Sequence, residues 1–403
     1  MIELEAAVSK LKERLRPQTQ VENIPLADCV GRITGAAVTA AAPVPAFPRA
    51  AMDGYAVAAE STVGATEMQP AVLKVIGTLY AGDDPEGLCP LTGEAVRVMT
   101  GAALPPGTDS VVPQEWTDYG STRVQITREI TRGKHYVAVG EDLKAYETIM
   151  EVASYLSSES LGVLASIGCA EIAVKKKLRV GIIATGSELA EVGTPLKTAQ
   201  VYNSTAYVLA SYIQRSGGEV VFQTICEDDP RQFAKLLQTV GKTADLIITT
   251  GGVSVGQKDF LPTAITENKG EILFHFVAFK PGTPVMGAVW EGIPLLCLSG
   301  NPFAALVDFH LFYWPLAAHF YRAPIFELKK EQQLLRSEDL KSGSLRRFIS
   351  GYCENGQVTI DKKPHRVSRF QQILHSNCLV EQPPQQSLQA GQQVTVYRWF
   401  QGG

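Results

Sequence analysis

Leu4, Val8, Leu11 and Leu15 recur at helical spacing and predict an N-terminal helix that Pro17 ends. Small residues dominate 25–47, and Pro43, Pro45 and Pro48 predict an extended connector. Between 48 and 139 the apolar runs are short, β-branched and punctuated by Gly, Pro and Asp; 72–76, 95–99 and 123–130 read as strands of a small β domain. A helical stretch falls at 158–167.

From about 178 the pattern changes to strand–helix alternation. LRVGIIATG is a buried strand, and NSTAYVLASYIQRSGG a helix capped by Asn203 or Ser204 and stopped at Gly217. EVVFQTIC is a strand, Asp229-Pro230 opens a helix, and ADLIITTGG is another buried strand. Further strands are expected at 272–279, 284–290 and 293–298, with a helix after SGNP. Repeated βαβ units imply a parallel or mixed sheet with right-handed crossovers. Beyond 326 the helical signal fades, Asn355-Gly356 marks a hairpin, and QQVTVYRWF alternates as a strand, so a small C-terminal β domain follows. The changes of pattern divide the chain into 1–47, 48–139, 140–173, 174–325 and 326–403.

The 403 residues carry 37 Lys and Arg against 41 Asp and Glu, a net charge of −4, which argues against a strongly basic nucleic-acid binder. Hydrophobic content of 45% with 19% charged residues indicates a folded chain. The seven cysteines are at least 25 residues apart and the six histidines are dispersed, so no zinc spacing exists and the cysteines read as structural thiols of a reducing cytoplasm. MIELEAAVSKLKERL lacks the basic and apolar stretches of a signal peptide, and no apolar run is long enough to span a membrane.

Ligands of open α/β sheets bind beyond the carboxyl ends of the strands. The loops expected there are ATGSEL, EDDP, TTGGVSVGQKDF, KPGTP and SGNP. In TTGGVSVG, Gly251, Gly252 and Ser254 form an anion cradle or a plain tight turn. The string is neither a Walker A loop nor a GxGxxG fingerprint. Glu188, Asp228 and Asp259 lie on three of the loops; converging, they need a cation, and hard oxygen donors suit magnesium. The alternative is capping, with Asp259 opening the next helix. Lys280 is a phosphate-holding charge or a solvated loop lysine, and Lys258 is weaker. Asp53 and Tyr55 flank a glycine in AMDGYAV, unusual for a connector.

In order, PVPAFPRAAMDGYAV, MTGAALPPGTDSVVPQE, GED, GIIATGSEL, EDDP, DLIITTGGVSVGQKDF, KPGTP and SGNP resemble the MoeA family of molybdopterin molybdenumtransferases, whose animal relative is the gephyrin E domain. The resemblance covers most of the chain. It implies a multidomain α/β plus β protein: a central molybdopterin-binding α/β domain with a mostly parallel sheet, a small β domain inserted in an elongated linker and dimerisation domain, and a C-terminal β-barrel-like domain. It implies a homodimer that binds adenylylated molybdopterin, inserts molybdate and releases AMP with magnesium. The family's catalytic positions carry over to Asp53, Thr100, Glu188, Asp228, Asp259 and Lys280, with magnesium on Glu188, Asp228 and Asp259. The pterin nucleotide is expected at Thr185, Gly186, Ser187, Thr250, Gly251, Gly252, Ser254, Gly256, Pro281, Gly282, Ser299, Gly300, Asn301 and Pro302. Contact with the molybdopterin adenylyltransferase is expected, but none with nucleic acid or a membrane.

The chain departs from the family where basic residues are usual. Phe276 stands four before Lys280, Thr283 follows KPG, and Val137 precedes GED. Tyr146 replaces a glycine, and Ser368 sits one position off the family's C-terminal serine. These departures keep a second reading open, a non-catalytic carrier of molybdopterin or its finished cofactor; a third, a hydrolase of another nucleotide pyrophosphate, rests on the occurrence of related α/β domains in such enzymes.

Overall fold

The computed structural model describes residues 1–254, 259–337, 339–360 and 370–399. They fall into two compact units: 1–36, 152–161 and 170–403 form one, and 37–151 with 162–169 the other.

The first unit is built on a six-stranded sheet of β1 (Arg179–Thr185), β2 (Glu219–Cys226), β3 (Leu246–Thr250), β4 (Glu271–His275), β5 (Met286–Trp290) and β6 (Ile293–Leu298). Its spatial order is β2-β1-β3-β6-β5-β4. β1 runs parallel to β2 and β3, and β3 parallel to β6; β5 is antiparallel to β6 and β4. The central strands are apolar on both faces, as a covered parallel sheet requires. Val180, Ile182, Leu246, Ile248, Leu296 and Leu298 enter one core with Leu4 and Leu11 of the N-terminal helix Leu4–Lys12. Ile183, Ile247, Leu295 and Cys297 enter the core on the other face.

Four helices serve this sheet: α1 (Ser204–Arg215), α2 (Pro230–Val240), α3 (Leu261–Glu267) and α4 (Pro302–Tyr321). Asn203 caps α1 by accepting from the Ala206 amide, and Gly217 leaves the helix at φ +73°. Asp229 caps α2 by accepting from the Arg231 amide, with Pro230 in its first turn. α3 corrects one alternative: its N-cap is Phe260, with no side-chain bond, so Asp259 does not open it. α4 is apolar on nearly every side apart from Asp308 and His310 in its middle, and it is correspondingly buried, those two included. No described helix is long and apolar enough to cross a membrane.

The chain continues into β7 (Lys330–Leu335), β8 (Arg346–Glu354), β9 (Gln357–Ile360), β10 (Cys378–Gln382) and β11 (Gln393–Arg398). The pairing runs β8-β9-β7-β11-β10 and closes through β8 with β10, which removes open edges. Asn355 and Gly356 turn the β8–β9 hairpin at φ +49° and +77°.

In the second unit the sheet order is Ser110–Pro113, Gly54–Val57, Glu94–Val98, Ala71–Leu79, Arg123–Ile126. Two expectations change here. Gly54–Val57 is a central strand rather than connector, and the last strand ends at Ile126 instead of 130. A Cβ at Gly54 would lie 1.9 Å from the Val112 carbonyl oxygen, so only glycine fits between its two neighbouring strands.

Candidate active site

The chain leaves β1 for β2 on one side of it and returns to β3 on the other. β1 and β3 therefore flank the point where the winding reverses, the crevice in which open α/β sheets bind ligands. Thr185-Gly186 and Thr250-Gly251 end these strands, and Cys226 and Leu298 end their neighbours at the same edge.

Glycine is required at this edge. A Cβ on Gly251, at φ +87°, would lie 2.5 Å from the Thr185 carbonyl oxygen. Gly300 packs on Gly251, its hypothetical Cβ 3.3 Å from the Gly251 Cα. Gly251 donates its amide to the Leu298 carbonyl, 3.1 Å, so the edge is backbone laid on backbone. Buried Thr185 donates its hydroxyl to the Thr250 carbonyl at 3.1 Å, tying β1 to β3. Asn301 accepts from the Phe303 and Ala304 amides as the cap of α4, with Pro302 behind it, so both positions also start a helix. Ser254 is exposed at the end of the glycine loop. Gly256, Lys258 and Ser368 lie outside the described residues.

The acids divide. Asp228 is half-buried and accepts from the Ser187 hydroxyl at 3.2 Å, which binds the second loop to the first. Glu188 is exposed, and its carboxylate folds back over Gly186, where a Cβ would meet Oε1 at 2.7 Å. Asp259 is half-buried. Among the described residues no group of three or more His, Cys, Asp and Glu side chains is gathered to hold a metal. The donors are carboxylate oxygens, the chemistry magnesium uses, and that ion commonly takes one or two carboxylates with the substrate's phosphates.

Lys280 is exposed at the start of KPG, and the Lys280-Pro281 bond is cis. The short strand Phe279–Lys280 pairs in parallel with the first residues of β8, which sets Lys280 in register with Arg347. Arg347 also donates to Gln382 at 3.1 Å. This second cation was invisible in the sequence because 67 positions separate it from Lys280 and only sheet pairing joins them. The positions that depart from the family are occupied otherwise: Phe276 stacks on His275 at 4.0 Å, and the Thr283 hydroxyl donates to the Phe279 carbonyl at 2.5 Å.

Asp308 was also overlooked. It is fully buried; Oδ2 accepts from the Ser299 amide at 3.0 Å, while Oδ1 has no hydrogen-bond partner among the described residues. A Cβ at Gly282 would lie 1.7 Å from Oδ1. One carboxyl thus lies beneath both the KPG and SGNP turns. Burial pushes it well above the usual carboxylate range, the hydrogen bonds from Ser299 opposing, which favours its protonated form. A lone acid within the apolar run FAALVDFHLF was the available signal.

In the second unit, Asp53 and Thr100 are 47 positions apart in sequence. Gly54 pairs antiparallel with Val98, which brings the chain just before Gly54 beside the chain just after Val98. Asp53 Oδ1 accepts from the Thr100 amide at 2.7 Å and its hydroxyl at 2.8 Å. Those bonds, the amide foremost, hold the Asp53 carboxyl below its usual range.

The chain matches known families along its length. Residues 2–168 match the MoeA N-terminal region (domain I and II), and residues 181–319 match a probable molybdopterin binding domain. A molybdopterin molybdenumtransferase of Haemophilus influenzae is 32% identical over 98% of both chains. Molybdopterin molybdenumtransferase 2 of Mycobacterium tuberculosis is 39% identical over 78% of this chain and 77% of its own. The crystal structure of the molybdopterin biosynthesis moeA protein from Pyrococcus horikoshii OT3 superposes with a TM-score of 0.82 at 27% identity, covering 99% of this chain and all of that one. With glycine loops at the reversal point of the sheet, a closed C-terminal barrel and this likeness over nearly its whole length, the chain belongs to the MoeA family of molybdopterin molybdenumtransferases.

Proposed function

We propose that the protein is a molybdopterin molybdenumtransferase that inserts molybdate into adenylylated molybdopterin and releases AMP. The observation that carries this reading is the set of glycine-bearing loops at the carboxyl edge of β1, β3 and β6. Gly186, Gly251, Gly252 and Gly300 let main chain approach an anionic ligand without side-chain hindrance. Thr185, Thr250 and Asn301 keep that main chain in place through their own hydrogen bonds, and Ser187 fixes Asp228. The pterin nucleotide lies along these loops, with Ser254, Gly256, Pro281, Gly282, Ser299 and Pro302 completing its contacts.

Glu188, Asp228 and Asp259 supply the oxygen donors for magnesium, which when bound neutralises the pyrophosphate. Lys280, with Arg347 in register beside it, presents positive charge to an oxyanion. Asp53, oriented by the two bonds from Thr100, serves in this reading as a catalytic acceptor of fixed orientation. In this reading the protein is a cytoplasmic homodimer that takes its substrate from the molybdopterin adenylyltransferase.

The test is AMP release by the purified protein given adenylylated molybdopterin, molybdate and magnesium. No AMP above a no-enzyme control overturns the reading. The neutral occupants at Phe276 and Thr283 favour a second one, a carrier without turnover; tight pterin-nucleotide binding in the absence of AMP release would select it.

A further inference from the structure

The cysteines are scattered along the chain, yet two of them meet. Gly351 of β8 is the register partner of Cys378 of β10, and Cys353 lies two residues farther along β8. The Sγ atoms are 3.2 Å apart. Asn377 closes the strand end around them: its carboxamide oxygen accepts from the Cys353 amide at 2.7 Å, and its Nδ2 donates to the Cys353 carbonyl at 2.9 Å. The two sulfurs are therefore held by the barrel framework rather than brought close by flexible loops.

Their surroundings differ. Cys378 is fully buried in the barrel core, its Sγ within 3.2 Å of both the Gly351 carbonyl oxygen and the Cys353 sulfur. Cys353 lines a cavity of about 370 Å³, with Asn377, Glu331, Arg398, Trp314 and Trp399 around it. Arg398 donates to the Cys353 carbonyl at 3.2 Å and is itself anchored to Glu331 at 3.0 Å. A thiol beside a guanidinium, reached from a cavity and backed by a second thiol, has the makings of a redox cysteine.

We propose that Cys353 and Cys378 form a redox pair, in which Cys353 reacts with a hydroperoxide entering the cavity and Cys378 resolves the product into a disulfide. The Cys353 thiol lies below its ordinary range, through the hydrogen bond from Cys378 and then the Arg398 charge, while Cys378 is driven far upward. The thiolate sulfur of Cys353 attacks one oxygen of hydrogen peroxide and the O–O bond breaks. That oxygen stays on sulfur as sulfenic acid, and the other leaves as hydroxide, which solvent protonates to water. The Cys378 sulfur then attacks the Cys353 sulfur. The S–O bond breaks, and the hydroxyl leaves as water with the Cys378 proton. Two thiols lose two electrons, and one peroxide becomes two waters.

The full-length protein, treated with one to ten equivalents of hydrogen peroxide, alkylated and digested, tests this by mass spectrometry. Cys89, which is exposed, serves as the internal reference. The expected result is a Cys353–Cys378 disulfide that forms about tenfold faster than Cys89 oxidises and is reversed by dithiothreitol. Cys378→Ser should accumulate sulfenic acid at Cys353, trapped by dimedone. Cys353→Ser should leave Cys378 reduced. Oxidation of Cys89 with residues 353 and 378 still reduced in the wild type, a measurement independent of whether either variant folds, would overturn the proposal.

Discussion

The edge of the α/β sheet and the Asp53–Thr100 pair, both assigned to the proposed reaction, are held in shape by opposite means. At the sheet edge the side chains largely serve the protein: Thr185 joins β1 to β3, Asn301 starts α4, Ser187 binds Asp228 and Asp308 lies beneath two turns. The surface left for a ligand is glycine backbone, whose shape is set by strands meeting at a reversal point. In the β sheet of the second unit the proposed acceptor is a side-chain oxygen, oriented by two bonds from one residue. The first place tolerates little change of volume; the second depends on hydrogen bonds.

The largest expected effect tests the volume half. Gly251→Val puts a branched side chain at φ +87° against the Thr185 carbonyl. Strain alone is about 1–3 kcal/mol, and AMP release should fall more than ~10-fold. Gly292→Ala is the control: its φ is +83°, with nothing within 4 Å of its Cβ position. Equal losses of activity would show that backbone strain, and not crowding, governs the edge.

Next comes Asp308→Asn. The folded carboxyl favours its protonated form while the unfolded chain ionises at the ordinary value, so the contribution of this one group to stability is greatest at low pH. It declines by up to ~1.4 kcal/mol per pH unit as pH rises above about 4, until the folded group ionises. The amide cannot titrate, so denaturant melts at pH 5 and pH 8 should show a smaller fall in the variant. An unchanged fall would mean that Asp308 is not the protonated group.

Asp259→Ala is expected to weaken magnesium-dependent turnover more than Asp229→Ala. The latter should cost only the cap of α2, about 1 kcal/mol of stability. Comparable losses of turnover would assign Asp259 no more than a structural part. The smallest effect is that of Thr100→Val, which removes the hydroxyl bond to Asp53 and keeps the amide bond. The Asp53 carboxyl should rise part of the way toward its ordinary value in an NMR titration, and no rise would place the control of Asp53 in the amide alone.

Much of this was legible in the residues because it is local. Asp229 before Pro230, Asn203 before an amphipathic run, and Asn355-Gly356 between alternating segments act within a few positions and fold as read. The buried strands announced themselves as apolar runs, since both of their faces are covered. Other features stayed hidden. The strand Gly54–Val57 read as connector because three prolines precede it, and its central place comes from partners about 40 and 55 residues away. Asp259 read as a possible cap, but the helix after it begins at Leu261.

By itself the sequence determined the order of elements, their caps and turns, and the glycine positions, because these obey backbone sterics and hydrogen bonds within a few residues. Tertiary structure alone decided which strand ends became neighbours, that Lys280 gained Arg347 beside it, that Thr100 holds Asp53, that Asp308 lies under two turns, and that Cys353 touches Cys378. Those outcomes depend on sheet register and on burial, and both are properties of the whole packed fold.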